Sequence, residues 1–106
     1  MTWNDELDEL RLRTSLAEAM GGEEKVARQH EFGKLTIRER IDAIADDRSF
    51  HEIGKLAGVG QYNDQGELEQ VTPSNFVFGS AKLDGRSVIL SGDDFTVRGG
   101  SADASI

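Results

Sequence analysis

The amino-acid sequence predicts an α+β chain in which helices come first and strands follow. Two observations support this order. Apolar residues recur at helical spacing through residues 4–45, and Asp84-Gly85 separates two extended apolar segments in the second half. A three-to-four-residue spacing is typical of helices, whereas Asp-Gly between extended segments is typical of a two-residue β-hairpin turn.

Three helices are predicted in the first part of the chain. The first begins with Asn4 as its N-cap and carries leucines on two opposite sides, so it requires two packing partners. It ends at Gly21-Gly22. A second helix runs from Glu23 to about His30 and ends near Gly33, because glycine favours a helix C-terminus.

The third helix is the best-defined element in the sequence. Thr36 and Glu39 have the spacing of a capping box, in which each side chain bonds the backbone N–H of the other residue. Asp46-Asp47 would oppose the negative end of the helix dipole, so the helix should end there. Arg38 and Arg40 lie off the apolar stripe and are predicted to be solvated. The stripe consists of Ile37, Ile41, Ile44 and Ala45.

The second half contains loops and short extended segments, including a turn at residues 63–66. Gly58-Val59-Gly60 lacks the third glycine of a dinucleotide-binding motif, so a turn is predicted there. The hairpin spans residues 75–92, and its two-residue turn sets the register. The predicted pairs are Leu83 with Arg86, Ala81 with Val88, Gly79 with Leu90, Ser80 with Ile89 and Phe78 with Ser91. Neither face is purely polar, so we expect both faces to be covered.

The composition limits the class of protein. The 106 residues carry 20 acidic and 12 basic side chains, a formal net charge of −8, and no cysteine. Both halves are acidic, so we expect no nucleic-acid partner, since such binding needs a basic surface. No apolar segment is long enough to span a membrane, and the acidic N-terminus resembles no targeting peptide. We therefore expect a cytoplasmic protein with no membrane contact.

Few residues are candidates for chemistry. His30 and His51 lack the partners of a metal site, so both are predicted to be exposed imidazoles. Asp93 and Asp94 are adjacent on an extended segment and should point to opposite faces, which disfavours an acid/base pair. We therefore expect no metal site and assign no catalytic residue.

Residues 98–101 (RGGS) form the one segment suited to a ligand. Glycines let backbone N–H groups approach an anion, and Arg98 supplies a cation suited to phosphate. The alternative is a glycine turn capped by Ser101. Ser101 is also predicted to begin a helix, which would lie so close to Ile106 that we expect the sequence to be cut short.

Three segments resemble the carboxyltransferase (β-type) subunits of biotin-dependent acyl-CoA carboxylases. They are residues 34–42 (KLTIRERID), 47–54 (DRSFHEIG) and the hairpin followed by residues 92–101 (GDDFTVRGGS). The similarity runs in one order over nearly the whole chain. It is closest to the propionyl-CoA or broad acyl-CoA type. The split acetyl-CoA type carries a Cys₄ zinc ribbon, and this chain contains no cysteine.

The resemblance implies the N-terminal segment of a subunit with a crotonase-like (ClpP/crotonase) fold. Residues 1–48 would form a helical segment, and residues 49–106 the truncated start of the carboxyltransferase N-domain. Such subunits form oligomers and transfer a carboxyl group from carboxybiotin to an acyl-CoA such as propionyl-CoA. Backbone N–H groups that stabilise the oxyanions lie in segments absent from these residues, so the isolated chain is predicted to be inactive.

The resemblance also implies partners and a substrate-binding loop. The partners would be acyl-CoA, the remainder of the subunit, a biotin carboxylase and a biotin carrier subunit that holds the biotin. This chain would bind no cofactor itself. Two alternatives stay open: a subunit of a biotin-dependent acyl-CoA decarboxylase, and a non-catalytic acidic interaction module. The residues implied to lie near acyl-CoA are Phe95, Thr96, Arg98, Gly99, Gly100 and Ser101.

Overall fold

The computed structural model describes residues 2–102 and 105–106, in which helices precede strands as the sequence predicts. The helices are α1 (Asn4–Glu18), α2 (Glu23–Glu31) and α3 (Ile37–Ile44). The strands are β1 (His51–Ile53), β2 (Gly58–Tyr62), β3 (Leu68–Pro73), β4 (Phe76–Leu83) and β5 (Arg86–Asp93). A short 3₁₀ turn at Arg98–Gly100 follows β5.

Helix α1 begins one residue earlier than predicted. Trp3, and not Asn4, holds the N-cap position, because the backbone N–H of Leu7 already donates to the Trp3 carbonyl oxygen at 2.9 Å. The helix packs against β3 and buries Ala17. Leu7 and Leu10 on the same side remain 43% and 46% exposed, so this helix is only partly covered within the described residues.

Helices α2 and α3 confirm the sequence predictions. α2 is followed by Gly33 in a left-handed conformation (φ 72°). At the start of α3, Glu39 N donates to Thr36 Oγ1 at 3.2 Å and Thr36 N donates to Glu39 Oε1 at 2.9 Å. Both bonds of the capping box are therefore present. The helix ends just before Asp46, whose carboxylate accepts the backbone N–H groups of the hairpin turn instead.

The predicted hairpin forms the centre of a three-stranded antiparallel sheet with strand order β1-β4-β5. Its register is as predicted, with Leu83 opposite Arg86, Ala81 opposite Val88 and the remaining pairs in step. Asp84 and Gly85 both have positive φ (50° and 81°), as a type I′ turn requires. The turn therefore sets the register of β4 against β5.

One face of this sheet packs against α3, and the other is uncovered within the described chain. Val77, Gly79 and Ala81 are buried on the covered face, whereas Phe76 and Ile89 are 49% and 67% exposed on the other. The expectation that both faces are covered is therefore wrong for these residues. We call the residues Ile53, Phe76, Phe78 and Ile89 the open sheet face.

Strands β2 and β3 form a second, two-stranded antiparallel sheet. The turn predicted at Gly58-Val59-Gly60 is wrong, because these residues belong to β2. A Cβ at Gly58 would lie 2.3 Å from the Thr72 carbonyl oxygen, so this glycine permits the close approach of the strands. The turn at residues 63–66 is confirmed, with Asn63 Oδ1 accepting from the N–H groups of Gln65 and Glu67, both at 2.9 Å.

Arg38 is not a solvated helix residue, contrary to the prediction. Its Nη1 and Nη2 donate to Oε1 and Oε2 of Glu52 at 2.6 and 3.0 Å, and the Glu52 side chain is only 8% exposed. The two residues are brought together because α3 packs over β4, and β4 pairs with the strand β1 that carries Glu52. Residue spacing alone does not show this contact. Such a bidentate pair fixes both distance and orientation. Arg40 is exposed, as predicted.

Among residues 2–102 and 105–106, no helix combines the length and apolar character that crossing a membrane requires.

Candidate functional site

The loop after β5 contains the candidate ligand-binding segment at residues 98–101. Hydrogen bonds to buried residues hold this loop in place. The backbone N–H of Asp94 donates to the Asn75 carbonyl oxygen at 2.7 Å. In return, Asn75 Nδ2 donates to the carbonyl oxygens of Val97 and Ser101 at 3.4 and 2.5 Å. Asn75 and Val97 are 6% and 3% exposed. The loop therefore has a fixed course, set by the first residues of the hairpin.

The two neighbouring carboxylates, Asp93 and Asp94, have different environments. Asp93 is exposed, whereas Asp94 is 2% exposed. Asp94 Oδ1 accepts from Thr96 N at 2.9 Å and from Thr96 Oγ1 at 2.6 Å. The buried carboxylate thus accepts hydrogen bonds from the backbone N–H and the hydroxyl of Thr96, so that neither donor is left without a partner inside the protein. The two groups do not form an acid/base pair.

Thr96 also joins the loop to the α1–α2 connection. Its Oγ1 accepts from Gly21 N at 2.9 Å, and a Cβ at Gly21 would lie 1.9 Å from the Thr96 carbonyl oxygen. Only glycine allows the two backbones to approach this closely. Because Thr96 is 3% exposed and its hydroxyl is bonded on two sides, its observed role is to hold the loop in place.

The glycine segment that follows has an unusual backbone. Arg98, Gly99 and Gly100 all have left-handed φ values of 49°, 62° and 73°. The N–H groups of Gly100 and Ser101 donate to the carbonyl oxygens of Val97 and Arg98 at 3.0 and 3.2 Å. These two N–H groups are therefore committed to a turn and do not face an anion. The guanidinium of Arg98 donates to Ser105 Oγ at 3.0 Å.

Ser101 does not act as the N-cap that the sequence suggested. It is the C-cap of the 3₁₀ turn, with extended backbone angles (φ −70°, ψ 143°). The helix expected to follow it would include residues 103 and 104, which lie outside the described residues.

A cleft of about 360 Å³ separates α2 from this loop. Four of its lining residues are cationic, two are phenylalanines, and none is acidic among the residues that the structure describes. The lining residues are Lys25, Arg28, Gln29, Phe32, Lys34, Phe95, Thr96, Arg98 and Gly99. We call this the basic cleft. It concentrates positive charge in a chain whose formal net charge is −8.

The loop also borders two further cavities. One of about 420 Å³ lies between α3 and the end of β5 and shares Gln29, Lys34, Phe95 and Thr96 with the basic cleft. Another of about 320 Å³ lies against β3 and shares Lys25, Thr96 and Arg98. The loop therefore stands between three concave surfaces, which favours a ligand-binding role for this part of the molecule.

The connection between α2 and α3 supplies two residues of the basic cleft and is stabilised at both ends. His30 Nε2 lies 2.7 Å from Glu39 Oε1, the oxygen that also accepts from Thr36 N. The hydrogen bond to His30, followed by that to the Thr36 backbone, lowers the pKa of Glu39 from 4.5 to about 2. The ionised carboxylate thus fixes residues 32–35 between the two helices.

The structure brings together only part of the predicted site. Phe95, Thr96, Arg98 and Gly99 line the basic cleft, whereas Gly100 and Ser101 do not. Helix α2 contributes residues that were not among those predicted from the sequence. Lys25, Arg28 and Phe32 are spaced at i, i+3 and i+7. This spacing places the three side chains on one side of a helix, so it could have indicated that they line the same surface. In the described part of the chain, no group of three or more His, Asp or Glu residues is placed to hold a metal ion.

Comparison with known proteins gives a consistent result. The sequence profile of the carboxyl transferase domain matches residues 28–105. The chain is 39% identical over 101 residues to the propionyl-CoA carboxylase carboxyltransferase subunit of Haloferax mediterranei. It is 35% identical over 100 residues to the methylmalonyl-CoA decarboxylase α subunit of Veillonella parvula. These matches cover 95% and 94% of this chain and 20% of each relative.

A solved structure is also similar. It is a crystal structure of the transcarboxylase 12S hexamer with methylmalonyl-coenzyme A and methylmalonic acid bound, which this chain matches with a TM-score of 0.80 and 34% identity. The match covers 96% of this chain and 20% of the other. The chain spans about a fifth of the length of the relatives it matches.

Proposed function

Because the chain belongs to the carboxyl transferase domain family, we propose that it forms the N-terminal part of an acyl-CoA carboxyltransferase subunit. Its α+β architecture is that of a piece of the crotonase-like fold. The proposed reaction is transfer of a carboxyl group from carboxybiotin to an acyl-CoA such as propionyl-CoA. The observation that carries this proposal is similarity along 95% of the chain to a propionyl-CoA carboxylase carboxyltransferase subunit.

In this proposal the chain contributes scaffold and part of the acyl-CoA site. Phe95 is exposed on the loop after β5, so its ring is available to contact the substrate. Arg98, whose guanidinium donates to Ser105, lies next to it in the same cleft. Thr96 and Gly99 shape the cleft wall, and Gly100 and Ser101 complete the turn behind it. No residue of the chain is assigned a bond-making step.

The proposed partners are acyl-CoA, the remainder of the subunit, and the biotin carboxylase and biotin carrier subunits. Biotin would supply the carboxyl group from the carrier and is not assigned to residues of this chain. The 12S relative is described as a hexamer, which supports a homo-oligomeric subunit.

A decarboxylase subunit is a second candidate, because the Veillonella relative is 35% identical. The two activities share an acyl-CoA and a biotin carrier but run the carboxyl transfer in opposite directions. Sequence identity of 39% against 35% does not separate them.

A chimeric subunit tests the proposal. The matching fifth of the Haloferax carboxyltransferase subunit is replaced by this chain, and carboxylation of propionyl-CoA is measured with the biotin carrier present. A parallel chimera is built on the Veillonella decarboxylase subunit. We expect the carboxylase chimera to be active and the decarboxylase chimera to be weaker.

The outcomes separate the alternatives. Activity of the decarboxylase chimera alone would favour the decarboxylase. If both chimeras assemble but neither turns over, the chain is an interaction module and the proposal is wrong. A control chimera that carries the same fifth of the Bacillus subtilis relative, which is 36% identical to this chain, shows whether the junction itself is tolerated.

A further inference from the structure

We infer that Asp84-Gly85 is a latent site of isoaspartate formation and that the carboxylate of Asp46 suppresses this modification. The sequence contains one Asp-Gly dipeptide, at the turn between β4 and β5, and no Asn-Gly. Asp-Gly is the aspartyl sequence most prone to this reaction, because glycine has no side chain to shield its backbone nitrogen. The inference does not depend on the proposed function.

The modification is an intramolecular condensation. The backbone nitrogen of Gly85 attacks Cγ of the Asp84 side chain and forms an N–Cγ bond, while one carboxyl oxygen leaves as water with the carboxyl proton and the N–H proton. The product is a five-membered succinimide. Water then reopens this ring at the main-chain carbonyl, so that the chain runs through Cβ and Cγ of Asp84 as isoaspartate. The reaction requires no oxidant, reductant or cofactor.

Side-chain packing does not shield the turn. Asp84 and Gly85 are both exposed to solvent. A Cβ built on Gly85 would meet no atom of the described residues within 4 Å, apart from its own chain neighbours. Water therefore reaches both residues, and steric crowding does not account for the chemical stability of an Asp-Gly sequence in this position.

The Asp46 carboxylate instead binds the N–H groups of the turn. Asp84 N donates to Asp46 Oδ1 at 2.9 Å, and Gly85 N donates to Asp46 Oδ2 at 2.8 Å. The attacking nitrogen must lose its proton, and this proton is the one bonded to Oδ2. A negative charge so close to Gly85 N opposes the build-up of further negative charge on that nitrogen, so it weakens the nucleophile.

The same two bonds hold the turn in a conformation that keeps the reacting atoms apart. Asp84 and Gly85 have the left-handed φ values of a type I′ turn, 50° and 81°. The first central residue of such a turn has ψ of about +30°, which sets its Cβ and the next nitrogen on nearly opposite sides of the Cα–C bond. Ring closure requires rotation about this bond, which would pull the N–H groups away from Asp46.

Asp46 is itself held in place by the backbone around it. Its N–H donates to the Lys82 carbonyl oxygen at 2.8 Å, and its carbonyl oxygen accepts from Ser49 N at 3.0 Å. Ser49 Oγ in turn accepts from Lys82 N at 3.1 Å. The half-buried Asp46 side chain is therefore fixed beside the hairpin, and its carboxylate meets the turn without a large ordering cost.

Incubation of the 106-residue chain at neutral pH and body temperature tests the inference. A protease fragment that contains residue 84 is separated by chromatography from its isoaspartyl isomer, which has the same mass. Asp46→Ala should raise the rate of isomerisation at Asp84 about fivefold or more, because hydrogen bonds to a charged acceptor no longer resist opening of the turn. The control Asp47→Ala removes the same charge from an exposed neighbour and should change the rate less than about twofold.

A second variant separates loss of this contact from loss of folding. Asp46→Asn keeps an oxygen that can accept one N–H, so its rate should lie between those of the wild type and Asp46→Ala. If a melting curve shows that Asp46→Ala is unfolded, Asp46→Asn alone decides.

Three results would overturn the inference. The first is a folded Asp46→Asn variant whose rate is at or below that of the wild type, because the carboxylate would then be neutral or would assist the reaction as a base. The second is an equal rate for folded Asp46→Ala and Asp47→Ala. The third is a folded wild-type chain that isomerises at Asp84 as fast as the same chain unfolded in urea.

Discussion

The imidazole of His30 and the backbone N–H of Thr36 bind the same carboxylate oxygen, Glu39 Oε1, at 2.7 and 2.9 Å. One atom thereby joins the end of α2 to the start of α3. The short connection between them carries Phe32 and Lys34 into the basic cleft. The cleft therefore depends on a contact outside it.

Acidification should weaken this contact. Glu39 has a pKa of about 2 in the folded chain against an ordinary 4.5, so folding favours its ionised form. Its stabilising contribution is complete above pH 4.5 and is lost as the pH falls from 4.5 towards 2. We expect Glu39→Gln to be less stable than the wild type at pH 6 and equally stable near pH 2. Urea unfolding across this range measures the difference, and Glu24→Gln should not reproduce its pH dependence.

Loss of the Thr36 hydroxyl should lower stability. Thr36→Ala removes the acceptor of the Glu39 N–H, and N-cap residues contribute about 0.5–2 kcal/mol. The melting temperature should fall by several degrees. Thr36→Ser keeps the oxygen and should recover most of the loss. An unchanged melting curve for the alanine variant would show that this cap does not limit stability.

The open sheet face should make the isolated chain self-associate or bind the remainder of its subunit. Ile53, Phe76 and Ile89 are 51%, 49% and 67% exposed there. The outer edge of β5 is unpaired within the described residues, which adds a second route through backbone hydrogen bonds. Burial should outweigh the charge of −8 at about 0.15 M salt, where screening limits repulsion to about 8 Å.

Sedimentation at two salt concentrations tests this expectation. Ile89→Gln should shift the distribution towards monomer, whereas Leu10→Gln on α1 should have little effect. A wild-type chain that is monomeric at both salt concentrations and binds no apolar dye would contradict it.

The isolated chain should have no carboxyltransferase activity. The family resemblance assigns the oxyanion-stabilising segments to sequence that these 106 residues do not contain. An assay with carboxybiotin and propionyl-CoA should give no turnover above the uncatalysed rate. Turnover by the purified chain, absent from a sample unfolded in urea, would contradict this.

The sequence predicts an element correctly where a few consecutive residues determine its backbone geometry. The Thr36 capping box, the Asp84-Gly85 turn and the hairpin register were all correct, because each depends on a few neighbouring residues. The β2 strand was missed because Gly58 and Gly60 lack strand propensity. Gly58 is required there by the closeness of Thr72, a contact 14 residues away.

The site was harder to predict for the same reason. The sequence motif identified the loop at residues 95–101 as a candidate site. The opposite side of the cleft is lined by residues of α2, which the motif does not include. Gly21 and Thr96 bring the two together across 75 residues of sequence. The Arg38–Glu52 pair likewise depends on packing of α3 against the sheet that contains β1, which residue spacing on the helix does not reveal.

An acidic cavity and the basic cleft lie beyond opposite ends of helix α1. Its N-terminal half lines a cavity whose acidic members are Asp5, Glu6, Asp8, Glu9 and Glu67. Its C-terminal end leads to Gly21 and the wall of the basic cleft, about 22 Å away for a helix of 15 residues. An anion that approaches the chain is therefore repelled from the acidic cavity and attracted towards the basic cleft, and added salt screens both forces.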